Sequence, residues 1–145
     1  MLNLKDSLKC SAVFGSIGEN DLDELAPFFE ARRLTPGEIL TTLGNPAQYF
    51  YLLGEGRLLL STKEGKALTL SNPGDFIAMD MVCDNGVCTC SLTALGDGAA
   101  FAISRDDFSQ WIQKDHDIAT GILDAWSLFL GRVAPFVEQR DALHL

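Results

Sequence analysis

Glycine-bearing turns recur through the middle of this chain at intervals of roughly eight to ten residues, the spacing of strands in a sandwich or barrel. They are Pro36-Gly37, Gly44-Asn45-Pro46, Gly54-Glu55-Gly56, Lys63-Glu64-Gly65 and Pro73-Gly74-Asp75. Between them lie the short apolar runs EILTTL, YFYLL, RLLLS and ALTLS. Segments this short cannot form helices of ordinary length, and their punctuation predicts antiparallel strands from about Arg33 to Leu70. TCSLTAL and AAFAI flank Gly96-Asp97-Gly98, which reads as a further tight hairpin with glycine supplying positive φ.

Helical periodicity brackets this region. Leu22, Leu25, Phe28 and Phe29 recur at three and four residues behind an Asn20 or Asp21 start, which predicts an N-terminal helix. Ser104 with Asp106 and Asp107 is a cap signal for a short helix carrying Phe108, Trp111 and Ile112. A longer helix from about His116 to Ala134 carries Ile118, Ile122, Trp126, Phe129 and Val133 on one stripe, widened by Leu123, Leu128 and Leu130. So broad an apolar surface needs two partners, the β-core and a second copy of the same helix, so a homodimer is expected. Gly131 and Pro135 should kink or end this helix.

Composition narrows the function classes. A chain of 145 residues that is 47% hydrophobic and 21% charged buries one ordinary core. The net charge of −9 repels nucleic-acid phosphates, and its Lys and Arg residues are scattered apart from Arg32-Arg33, so direct nucleic-acid binding is not expected. The run Trp126 to Leu130 is far shorter than the roughly 20 residues of a membrane span, and MLNLKDSLKC has no signal-peptide apolar block, so the expected location is cytoplasmic without a membrane partner. Cys10, Cys83, Cys88 and Cys90 are then expected as thiols.

The segments AVFGSIGENDLDELAPFF, LTPGEILTTLG, YFYLLGEGRLLL, LSNPGDFI and AFAISRDDFSQWI, in this order from about Val13 to Val133, resemble the cyclic nucleotide-binding sensor domain of the catabolite-activator and fumarate-nitrate-regulator superfamily. The resemblance implies a mainly β fold: a double-stranded β-helix, or jelly-roll-like β-roll, over about 30–104, with an N-terminal helix and C-terminal helices over about 105–140. Residues 1–145 form one domain in this reading. Gly37, Gly44, Gly56 and Gly74 take the family's corner positions, where a Cβ would clash.

The family's phosphate-binding cassette would span PGDFIAMDMVCDNGVCTCSLTA. Ala78 then falls where the family has glycine, Met79 at its ribose-binding glutamate, Cys88 at its phosphate-binding arginine and Thr89 at the hydroxyl beside it. Losing two charge-assisted hydrogen bonds removes roughly 3 to 6 kcal/mol, or about two to four decades of affinity. Tight binding of cAMP or cGMP is therefore not expected. The acidic Asp80 and Asp84 oppose an anionic ligand further, and Asp80 matches a redox- and gas-sensing branch of the superfamily. The ligand-lining residues expected are Ile77, Ala78, Met79, Asp80, Cys88, Thr89 and Cys90. No helix-turn-helix segment follows before Leu145, so the expected role is a stand-alone, non-enzymatic sensor taking a small molecule or a partner protein, with no cofactor assigned.

Cys83, Cys88 and Cys90 leave three readings open: buried small hydrophobes, redox-active thiols, or ligands for a soft metal or cluster. Their spacing matches no strong metal signature. The two histidines, His116 and His144, sit outside the expected strands, which argues strongly against a cupin-type metal centre; His116 or a cysteine could serve haem as an axial ligand, but with no second supporting feature. Weak nucleotide binding through Thr89 and backbone amides, and a ligandless interaction module, complete the alternatives.

Overall fold

The computed structural model describes residues 3–137. Helix α1 (Leu4–Cys10) begins at Asn3, whose side chain accepts from the Asp6 N–H at 2.8 Å, and α2 (Glu19–Leu25) follows a turn. Ten strands come next: β1 (Phe29–Leu34), β2 (Ile39–Thr41), β3 (Tyr49–Glu55), β4 (Leu58–Thr62), β5 (Ala67–Leu70), β6 (Phe76–Ile77), β7 (Cys83–Asp84), β8 (Val87–Cys88), β9 (Cys90–Ala94) and β10 (Gly98–Ser104). Helices α3 (Arg105–Lys114) and α4 (His116–Val133) end the described fold. The expected stretch 138–140 and His144 lie outside the described residues.

The strands form two four-stranded antiparallel sheets, ordered β1-β10-β3-β6 and β2-β9-β4-β5, plus the small β7-β8 ribbon. This is the mainly β roll with helices at both ends that the sequence implied. β3 is its central element. Phe50, Tyr51, Leu52 and Leu53 are all buried, so this strand is covered on both faces and reads as a continuous apolar run. On one face, Phe50 meets Phe76 and Phe108 at centroid distances of 6.3 and 5.7 Å. Phe76 in turn contacts Phe14 at 4.8 Å and Trp126 at 6.4 Å, tying the N-terminal segment, the first sheet, α3 and α4 into one aromatic cluster. On the other face, the Tyr51 hydroxyl donates to the Leu40 carbonyl of the opposite sheet at 3.4 Å.

Several expectations need correction. The segment 96–98 is no tight hairpin: β9 pairs with β2 and β4, whereas β10 pairs with β1 and β3, so the turn carries the chain from one sheet to the other. Gly98 is required there because a Cβ would run into the Glu55 carbonyl, and its φ is not positive. Gly37 and Gly44 do have positive φ, +83° and +90°, but a Cβ at either meets nothing within 4 Å; backbone conformation selects them. Gly56 and Gly74 combine positive φ with close backbone neighbours, as expected.

The N-terminal helix stops at Leu25. Pro27 lies in a 3-10 turn, Phe28 is exposed, and Phe29 opens β1. Helix α4 passes through Gly131 and ends at Val133, ahead of Pro135. Its expected stripe turns inward, with Ile122, Trp126 and Phe129 sealed in the chain's own core and Ile118 and Val133 half-buried. The stripe expected to meet a second copy is therefore core, and on the opposite face Leu128 is 79% exposed.

Candidate functional site

The site is built by the segment between β6 and β9. At its entrance Gly74 adopts a φ of +91°, and a Cβ there would lie 2.8 Å from the Ser7 carbonyl oxygen, so the turn packs directly against the α1 end. Asp75 is buried beside it and accepts from the Asn72 N–H at 3.1 Å; burial pushes its carboxyl above the usual range while that hydrogen bond opposes the shift. β6 then pairs Ile77 with Tyr51 and Phe76 with Leu52, which anchors the segment to the central strand.

A single 3-10 turn, Met79–Met81, leads into the β7-β8 ribbon. Asn85 and Gly86 form its two-residue turn with φ of +50° and +83°, the paired positive values of a type I′ hairpin. Asn-Gly is a strong local hairpin signal in a sequence, and it is the signal that could have placed this ribbon. Met79, with φ of +47°, and Asn85 are the two described non-glycine residues at positive φ. Both fall in this segment, where backbone strain marks a shape held by its surroundings.

A pocket of about 570 Å³ lies between this segment and the β4-β5 hairpin. Of the residues expected to line a ligand site, Asp80, Cys88, Thr89 and Cys90 border this pocket. Ile77, Ala78 and Met79 do not: all three side chains are buried beneath the wall as core. Leu43 and Gly44 from the β2-β3 connection, Thr62, Lys63, Glu64 and Lys66 from the β4-β5 hairpin, and Phe136 and Val137 from beyond α4 complete the lining, and the sequence alone did not point to them. The Lys66 ammonium lies 5.7 Å from the Phe136 ring centroid. A second concavity of about 580 Å³ lies across β1 and β10, near Arg33, Glu55, Asp97 and Phe101, and contains none of the cassette residues.

A buried hydrogen bond joins the pocket wall to α4. The Trp126 indole N–H donates to Asp80 Oδ2 at 3.1 Å, and both residues are buried. Asp80 is thus held as an acceptor within the protein while still bordering the pocket.

The three clustered cysteines are brought close together. Cys83 and Cys88 are direct cross-strand partners, and Cys90 follows at the start of β9 in a different sheet. All three are buried free thiols, whereas Cys10 is exposed. Burial raises the Cys88 pKa above the ordinary 9.0, with the Arg105 guanidinium and a Thr42 backbone hydrogen bond opposing. Burial also raises that of Cys90, against a hydrogen bond with Thr89. Among the described residues, no three His, Cys, Asp or Glu side chains converge in a way that could hold a metal ion.

The fold and pocket together are those of a β-roll regulatory domain. The family model of the cyclic nucleotide-binding domain matches residues 31–115, more than half of the sequence, and the chain belongs to that family. An NTE family protein of Mycobacterium tuberculosis is 23% identical over 131 residues, which cover 90% of this chain and 22% of that protein. The chain therefore spans about a fifth of the length of this curated relative. Among solved structures, the sensor domain of the transcriptional regulator DNR from Pseudomonas aeruginosa superposes with a TM-score of 0.70 at 21% identity, over 94% of this chain and 99% of that one. The N-terminal domain of a transcriptional regulator from Streptomyces coelicolor A3(2) gives 0.65 at 24% identity, over 88% and 92%. At these identities the likeness is one of fold. Among the described residues, no helix is long and apolar enough to cross a membrane.

Proposed function

We propose that this chain is a non-enzymatic sensor module that takes a small apolar or weakly polar ligand in the 570 Å³ pocket and does not bind cAMP or cGMP tightly. The observation that carries this reading is Asp80, which borders the pocket and accepts from Trp126 of α4 at 3.1 Å. A ligand that contacts Asp80 differently in two states of α4 shifts the balance between them, which is the requirement for any sensor. The loss of tight nucleotide binding rests on the residues at the two positions: Cys88 offers no cation, and Met79 is buried in the core and carries no carboxylate. Leu43, Cys88, Cys90, Phe136 and Val137 form the apolar part of a mixed wall whose polar part is Thr62, Lys63, Glu64, Lys66, Asp80 and Thr89. We place the module in the cytoplasm, acting as one domain.

The output is a homodimer formed along the outer face of α4, where Leu128 stands exposed between Ala125 and Gly131. Native mass spectrometry of freshly, anaerobically purified protein tests both parts together. A dimer carrying additional mass supports the reading; a monomer with an empty pocket overturns it. In parallel, calorimetric titration with cAMP and cGMP should show no micromolar binding, and a saturable micromolar isotherm would restore the family's usual ligand.

A further inference from the structure

We infer that Cys83 and Cys88 form a thiol-disulfide exchange site, reached through the pocket and oxidised by low-molecular-weight disulfides, with Cys90 outside the exchanging pair. The register selects this pair. Cys83 and Cys88 stand opposite each other in the β7-β8 ribbon. The Cys88 N–H donates to the Asn45 carbonyl and its own carbonyl accepts from the Gly44 N–H, both at 2.8 Å, so neither group is spent on Cys83. The adjacent rung is closed by the Thr89 N–H donating to the Val82 carbonyl at 3.0 Å. Cys83 and Cys88 therefore occupy a non-hydrogen-bonded pair, whose Cα atoms stand about 4.5 Å apart, within the span of about 4.4–6.8 Å that a disulfide accepts. Cys88 and Cys90 are two residues apart along one chain, and bridging them would demand a severely strained ring.

Placement gives the pair its access. Cys88 lines the pocket, whereas Cys83 lies behind it in the core. Burial holds the Cys88 pKa up, and the nearby Arg105 guanidinium acts in the opposite direction, favouring the Cys88 thiolate. The Nη1 of Arg105 is buried without a hydrogen-bond partner, and its guanidinium fills the space that a Cβ at Gly86 would need. That places a cation under the hairpin tip, beside the thiols.

The exchange balances in two steps. The Cys88 thiolate attacks one sulfur of the small disulfide, forming a mixed disulfide and releasing one thiolate. The Cys83 thiolate then attacks Cys88 Sγ, closing the protein disulfide and releasing the second thiolate. The two protons lost by Cys83 and Cys88 end on the two released thiols, and the two electrons reduce the small disulfide. The product fixes the β7-β8 ribbon beside Thr89 and withdraws the Cys88 thiol from the pocket wall. The site does not depend on which ligand fills the pocket.

The test uses the full chain, reduced, equilibrated with glutathione disulfide, quenched with iodoacetamide and cleaved before aspartate. That cleavage separates Cys83, on peptide 80–83, from Cys88 and Cys90, on peptide 84–96. The expected product joins the two peptides by one disulfide, with a mass loss of about 2 Da for the two hydrogens removed. The same link should persist in Cys90→Ala, and Cys83→Ser should trap a mixed disulfide at Cys88. A link that disappears in Cys90→Ala, or full alkylation of all four thiols after equilibration, overturns the proposal. A far-UV circular dichroism spectrum shared by both variants and the parent chain confirms that they fold.

Discussion

The two sides of the roll are built differently. On one side, Phe14, Phe50, Phe76, Phe108 and Trp126 fill the space between β3, β6 and the helices with aromatic rings in contact. On the other, two hairpins, β4-β5 and β7-β8, stand apart and leave a 570 Å³ pocket. Packing holds the first side together; short ribbons with glycine turns shape the second. The contrast teaches where this chain keeps its stability and where it can accept change, and the hydrogen bond from Trp126 to Asp80 is where the two sides meet.

Phe76→Ala should break the filled side. The ring is fully buried and touches four aromatic neighbours, so its removal should cost about 3–5 kcal/mol in urea denaturation. A loss below about 1 kcal/mol would show that the aromatic cluster is not the stabilising centre.

Trp126→Phe tests the junction. It keeps most of the buried ring and removes the donor to Asp80, so about 1–2 kcal/mol of stability should go. The response of α4 to pocket ligands should weaken with it, read from the dimer fraction with and without ligand.

Lys66→Ala should sharpen the difference from the open side. Its side chain is exposed at the pocket rim, so stability should stay within about 0.5 kcal/mol of the parent while ligand affinity changes. A large stability loss would mean that the hairpin tip is structural.

The smallest effect concerns pH. Cys88 and Cys90 have pKa values raised by burial, so at neutral pH they should react with iodoacetamide more slowly than exposed Cys10, and their rates should still climb above pH 9. The folded state holds these two protons more tightly than the unfolded chain. Their contribution to stability is therefore complete below the unfolded value near 9 and is lost as pH rises through the higher folded values. Uniform labelling of all four thiols at pH 7 would contradict the burial of this side.

What the residues made legible was local. The corner glycines, the Ser104 cap that accepts from the Asp107 N–H at 3.0 Å, and the apolar face of α4 each follow from backbone or periodic constraints acting over a few residues. Of the seven residues that the family resemblance pointed to, Asp80, Cys88, Thr89 and Cys90 border the pocket, whereas Ile77, Ala78 and Met79 are buried in the core. Nothing local separates a buried Met79 from a pocket-lining one.

The sequence by itself determined the order of elements and the positions of most turns. Tertiary structure alone decided that β9 and β10 enter different sheets, that Cys83 faces Cys88 across a hairpin, that Lys66 and Phe136 reach one pocket, and that Trp126 finds Asp80 across 46 residues. The physical reason is range. Turn conformation and periodicity act between near neighbours, whereas pairing and burial depend on the free energy of the whole closed roll, to which every strand contributes at once.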